Sequence, residues 1–136
     1  MAMIYVYCID DRNGLTFFGK RQSRDSVLIQ RLVSLAEGKR IFIHPFSQKL
    51  FEGYSVVCDE NFLSMAKAGD YCFIENVDAD LSRAEEVILY RWNRHYPSDR
   101  KLDVAAIEKG YRLFQTSEFV GKSHEKITEE IYKKEG

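Results

Sequence analysis

At 136 residues the chain has the length of one domain with a good hydrophobic core, and its 20 basic and 21 acidic side chains leave a net charge of -1. That balance excludes wholesale coating of a polyanion, which calls for a large basic excess, while leaving room for a local basic patch. Composition is ordinary for a globular protein, and nine Phe, eight Tyr and one Trp offer large buried area for so short a chain.

No apolar run approaches the roughly 20 residues that a bilayer-spanning helix needs. The first nine residues lack the basic start of an export signal and run straight into Asp10, Asp11 and Arg12. Cys8, Cys58 and Cys72 are odd in number, widely spaced and set in apolar runs, the pattern of reduced, buried thiols rather than of a disulfide or metal site. The expectation is a cytoplasmic protein folded as a single domain over 1–136.

Residues 3–9 are continuously apolar and β-rich, as a strand covered on both faces must be. Asp10, Asp11, Arg12, Asn13 and Gly14 break the strand with strong turn chemistry. Leu15 to Phe18 lead into a polar, basic loop at 19–24. A helix follows, capped by Ser23 or Asp25, with Leu28, Ile29, Leu32, Val33 and Ala36 at helical spacing and Gly38 placed for a left-handed terminus. A short strand at 41–43 is stopped by His44 and Pro45. The pattern then predicts a strand at 54–58, a helix at 59–68 closed by Gly69 and Asp70, and strands from 71 and over 86–93. Residues 94–110 read as irregular. A strand is predicted at 111–119, and local propensity favours a helix at 126–133, where Ile127 and Ile131 stand four apart. Alternating strands and helices imply a mostly parallel sheet with layers on both faces.

This order of elements resembles the dihydrofolate reductases. The turn at 10–14 is similar to the one that follows their first strand. Asp25, opening the helix at 26–36, falls where that family keeps its substrate-binding acid. Gly38, Lys39 and Arg40 approach the 41–43 strand as in the family, and the strands at 54, 71 and 86 keep its order. The resemblance implies a three-layer α/β/α fold whose central sheet is mostly parallel and ends in an antiparallel hairpin, with 127–133 a strand against its own propensity. The departures concern the cofactor. His44, Pro45, Phe46 and Ser47 replace a Gly–basic–Thr phosphate turn, and Glu75 and Asn76 replace a diglycine that lets backbone approach a dinucleotide. Lys20, Gln22 and Ser23 stand for Trp and Leu-Pro before the acid, and Tyr90 stands for the acid's Thr partner. Weak NADPH binding is expected, and no cofactor is assigned. A ribonuclease Z reading fails on its residues: that chemistry needs a His-x-His-x-Asp-His cluster, and the three histidines have no ligand spacing.

The resemblance gathers Asp25, Tyr90, Lys20, Arg21, Arg24 and Ser47 around a small heterocyclic or nucleotide-like ligand. A carboxylate suits a heterocycle's amidine-like N–H pair because it accepts two hydrogen bonds at once. A carboxylate on a helix's first turn can equally be a plain cap. Tyr90 reads as core or as the partner of Asp25, and the basic loop as solvated or as a phosphate cradle. The alternative function is a non-catalytic interaction or RNA-phosphate-binding protein using the 20–24 loop and the Trp92, Asn93, Arg94, His95, Tyr96 cluster. His44 and His124 show no sequence spacing to a nucleophile or carboxylate that would define a triad.

Overall fold

The apolar run near the amino terminus becomes the centre of a sheet in the computed structural model, which describes residues 2–135. In β1 (Met3–Ile9), Met3, Tyr5, Tyr7 and Ile9 face one core and Ile4 and Val6 the other, and all six are buried. A strand sends successive side chains to opposite faces, so apolar residues at every position demand a layer on each side.

The remaining strands are β2 (Gly14–Phe17), β3 (Lys20–Arg21), β4 (Ile41–Ile43), β5 (Val57–Cys58), β6 (Tyr71–Phe73), β7 (Ala84–Arg91), β8 (Arg100–Lys101), β9 (Tyr111–Phe119) and β10 (Ile127–Lys134). The helices are α1 (Ser26–Leu35), α2 (Phe62–Met65) and α3 (Val104–Gly110). A seven-stranded sheet runs in the order β5-β4-β6-β1-β7-β10-β9, and a small antiparallel sheet sets β2 between β3 and β8. Pairing in the large sheet is parallel from β5 to β7, and β10 then lies antiparallel to both β7 and β9. One face is covered by Leu28, Ile29 and Leu32 of α1 with Phe51, packed on Val6, Ile43 and Ile88. The other is covered by Phe62, Ala66, Val104 and Ile107, packed on Tyr5, Val87 and Leu89. This is a three-layer α/β/α architecture with a mostly parallel sheet and an antiparallel carboxyl-terminal hairpin.

Several boundaries differ from the sequence expectations for local reasons. The 54–58 strand shrinks to Val57–Cys58, and the 59–68 helix to Phe62–Met65 because the chain turns extended at Ala66 (φ −68°, ψ 147°). Pro45–Phe51 is a 3₁₀ helix opened by Pro45, with His44 Nδ1 accepting from the Phe46 N–H at 3.0 Å. Residues 94–110 hold β8 and α3, where Asp103 caps by accepting from the Ala106 N–H. The tail is a strand: pairing with β7 and β9 on both sides outweighs a weak helical preference. Among the described residues no helix is long and apolar enough to cross a membrane. All three cysteines are free, and burial pushes the Cys72 thiol up to about 12.

The hairpin is buried unevenly. Ile127 is fully buried and Tyr132 nearly so, whereas Leu113 and Phe114 on the edge strand β9 face solvent. Ile127→Ala should therefore cost roughly 2–5 kcal/mol, and Leu113→Ala should stay within about 0.5 kcal/mol of wild type. Denaturant midpoints at unchanged slope measure both.

Candidate functional site

Asp25 stands at the amino end of α1 in an extended conformation (φ −154°, ψ 122°), and its Oδ1 accepts from the N–H groups of Val27 and, more weakly, Leu28. The loop 121–124 between β9 and β10 then closes over the same carboxylate. Lys122 N–H donates to Oδ1 at 2.8 Å and Ser123 N–H to Oδ2 at 3.0 Å, while His124 Nδ1 lies 2.8 Å from Oδ2. The Asp25 side chain is left with no exposure. Burial alone would raise its carboxyl. The Lys122 and Ser123 amides, the His124 ring and the Val27 amide outweigh it and hold the group well below the usual carboxylate range.

Close approach of this loop depends on Gly121. A Cβ there would collide with Asp25 Oδ2 and come within 2.9 Å of Ile127 Cδ1. The Gly121 N–H donates to the His124 carbonyl at 2.9 Å, which closes the turn.

The other edge of His124 faces Ser23. Ser23 Oγ lies 2.8 Å from His124 Nε2, and the Tyr96 hydroxyl approaches the same nitrogen at 3.4 Å. Trp92 stacks on the ring at 4.6 Å between centroids, with planes 26° apart. A carboxylate only accepts, so Nδ1 carries the proton toward Asp25. In the neutral ring Nε2 is then the acceptor for the Ser23 hydroxyl. Ser23, His124 and Asp25 thus form a hydrogen-bonded line that no spacing in the sequence marks. Ser23 and Asp25 lie 101 and 99 positions from His124 and meet it only in the fold. No local spacing could have shown this.

The sequence candidates divide among separate networks. The Tyr90 hydroxyl donates to Glu129 Oε2 at 2.8 Å, and Arg31 grips the same carboxylate at 2.9 and 3.1 Å. Glu129, which sequence reasoning missed, therefore takes the place expected for Asp25 as the partner of Tyr90. Burial first, and then the Glu129 charge, push the Tyr90 phenol far up, so it stays a donor. Arg21 pairs with Glu75 through Nε (2.6 Å) and Nη2 (2.8 Å), and the fully buried Ser47 donates to Glu75 Oε1 at 2.6 Å. Lys20 and Arg24 remain exposed. Trp92 is buried against His124 and offers no face for stacking on a base, which removes the central aromatic of the proposed RNA cluster.

Two hollows meet at Arg24. The first, about 530 Å³, has the cations Arg24, Lys49 and Lys122 around the start of α1, with Ile29 and Leu50 as its apolar wall. The second, about 450 Å³, is lined by Lys20, Arg21, Ser23, Arg24 and Phe46.

No protein-family model matches the sequence. No curated protein sequence matches it either. Among solved structures the chain is similar to a dihydrofolate reductase from Enterococcus faecalis complexed with NADP(H) and RAB-propyl, with a TM-score of 0.64. The match covers 99% of this chain and 97% of that one at 8% identity. The fold is dihydrofolate reductase-like, and at that identity the likeness extends to the fold alone.

A dinucleotide does not fit the residues at the turns where the resemblance would seat its phosphates. Glu75, 8% exposed and clamped by Arg21 and Ser47, sets a buried carboxylate there, and Pro45–Phe51 is wound into a 3₁₀ helix.

Two outcomes follow from the Asp25 geometry. Asp25→Asn leaves a buried amide facing donors and should cost roughly 3–5 kcal/mol. A carboxyl held below its ordinary value of about 4 stabilises the fold fully above that value and loses the contribution as pH falls from there toward the folded value. The advantage of wild type over Asp25→Asn should therefore be full above about pH 5 and shrink below about pH 4, as read from denaturation midpoints at each pH. Gly121→Ala should displace the loop at a cost of about 1–3 kcal/mol, visible as loss of amide-exchange protection at Lys122 and Ser123.

Proposed function

We propose that this chain binds a small anionic heterocycle or nucleotide-like molecule in the hollow beside Asp25. The observation that carries the reading is that three cationic residues, Arg24, Lys49 and Lys122, line one concave site together with Ile29 and Leu50 as its apolar wall. Such a mixture suits a flat ring carrying a negative group: the wall takes the ring and the cations take the charge. The amino end of α1 adds positive potential, partly offset by the Asp25 charge already buried there. Asp25 acts indirectly. Its acceptor positions are filled by the 122–124 donors, so it fixes Lys122 and the mouth of the hollow rather than gripping the ligand. Lys20 and Arg21 sit around the adjoining hollow, while Tyr90 and Ser47 hold the scaffold through Glu129 and Glu75.

Calorimetry against nucleoside phosphates, pterins and NADPH tests the reading. A nucleoside phosphate or an anionic pterin should bind with micromolar affinity, and Arg24→Ala, Lys49→Ala and Lys122→Ala should each weaken it about tenfold without lowering the melting temperature by more than a few degrees. NADPH should bind far more weakly. Absence of binding by every anionic probe, or affinity indifferent to all three substitutions, would remove the proposal.

A further inference from the structure

We propose that Ser23, His124 and Asp25 form a nucleophile, base and orienting carboxylate that hydrolyse a carboxylic ester bearing an anionic group, through an acyl-serine intermediate. Ser23 Oγ is 2.8 Å from His124 Nε2, and His124 Nδ1 is 2.8 Å from Asp25 Oδ2, so hydroxyl and carboxylate engage opposite edges of one imidazole. This connectivity defines an activated serine on whatever fold it occurs. A helix cap needs neither the histidine nor the serine. The imidazole is held by its carboxylate and by the stacked face of Trp92, and its side chain is only 2% exposed. A base so fixed loses little freedom in reaching the reactive geometry.

Ser23 is half-buried and lines the smaller hollow, while the His124 side chain is almost fully buried. Lys20, Arg21 and Arg24 surround that hollow and Phe46 walls it. Arg21 already neutralises Glu75, which leaves Lys20 and Arg24 as the cations for an anionic acyl group and for the developing oxyanion. This activity uses the smaller hollow and goes beyond the binding reading, with which it shares Arg24 and the positioning role of Asp25.

The step balances with water as the single co-reactant. Ser23 Oγ attacks the ester carbonyl carbon as its proton passes to His124 Nε2. The tetrahedral intermediate collapses, the carbon–oxygen bond to the alcohol breaks, and the alcohol leaves with the proton from Nε2. Water then adds to the acyl-serine and gives a proton to Nε2. The carboxylic acid departs, and Ser23 Oγ takes that proton back. No group is oxidised or reduced.

The test uses the full chain with a fluorophosphonate probe and with 4-nitrophenyl esters of acetic and succinic acid. Expected are one phosphonate adduct, on Ser23 by peptide mass, and faster turnover of the succinyl ester. Both reactions should fall about 100-fold or more in Ser23→Ala, the scale of general-base assistance. Ser23→Ala removes a half-buried hydroxyl and should fold; His124→Gln, checked by circular dichroism, is a second arm and should lose labelling while Ser23 remains. Leu113→Ala, on the exposed edge strand β9 and lining neither hollow, should label normally; labelling reads the smaller hollow and calorimetry the larger, so this proposal and the binding reading fail separately. No adduct on folded wild type, or equal labelling of Ser23→Ala, would overturn the triad and leave Asp25 and His124 as a loop tether.

Discussion

A buried carboxylate without donors is among the most expensive groups a protein can hold, and Asp25 is kept charged only because parts of the chain distant in sequence supply its donors. Val27 and Leu28 belong to the helix that Asp25 caps, while Lys122, Ser123 and His124 belong to the turn of the carboxyl-terminal hairpin. One side chain thus fixes where α1 begins and how β9 and β10 are joined. Both hollows border this lock: Arg24, which precedes the cap, lines each of them, and Lys122, in the turn, lines the larger.

The same device recurs at other edges of the sheet. Asp10 accepts from the N–H groups of Arg12, Gly14 and Tyr96 and so holds two loops together. Asp70 is gripped by Arg40 through two nitrogens and accepts from the Lys67 amide. Glu75 ties β3 to the 3₁₀ turn through Arg21 and Ser47, and Glu129 ties α1 to β7 through Arg31 and Tyr90. Each of these acids is buried and fully engaged. Charge that a sequence shows as a scattered acidic and basic surface is, in the fold, a set of staples at loop junctions. That leaves Lys20, Arg24, Lys49 and Lys122 as cations around the concave surface.

The central architecture was legible because its signals are local and periodic. Apolar residues at every position from Met3 to Ile9 announced a strand covered on both faces, and the spacing of Leu28, Ile29 and Leu32 announced α1. The tail was legible only through the resemblance, because its own propensity points the other way. Asp25 was visible as a cap and as a candidate acid, and both readings turned on which donors reach it, a matter of tertiary geometry. Ser23 was visible only as a rival cap, and His124 was set aside for want of neighbours. Short segments such as α3 carry too few periodic positions to stand out from their surroundings.

The distance along the chain between His124 and its two partners has a consequence for the order of events in folding. Contacts this far apart pay a large loop-closure entropy before they return anything, and they form after local structure. In synthesis the first β-strand and α1 emerge early, but Asp25 lacks its loop donors until the last strand has left the ribosome and paired with β7. Until then its carboxylate is an ordinary solvated acid, and the Ser23 hydroxyl has no base beside it. The site therefore depends on the hairpin turn: until 121–124 has folded back onto α1, no imidazole stands between serine and aspartate.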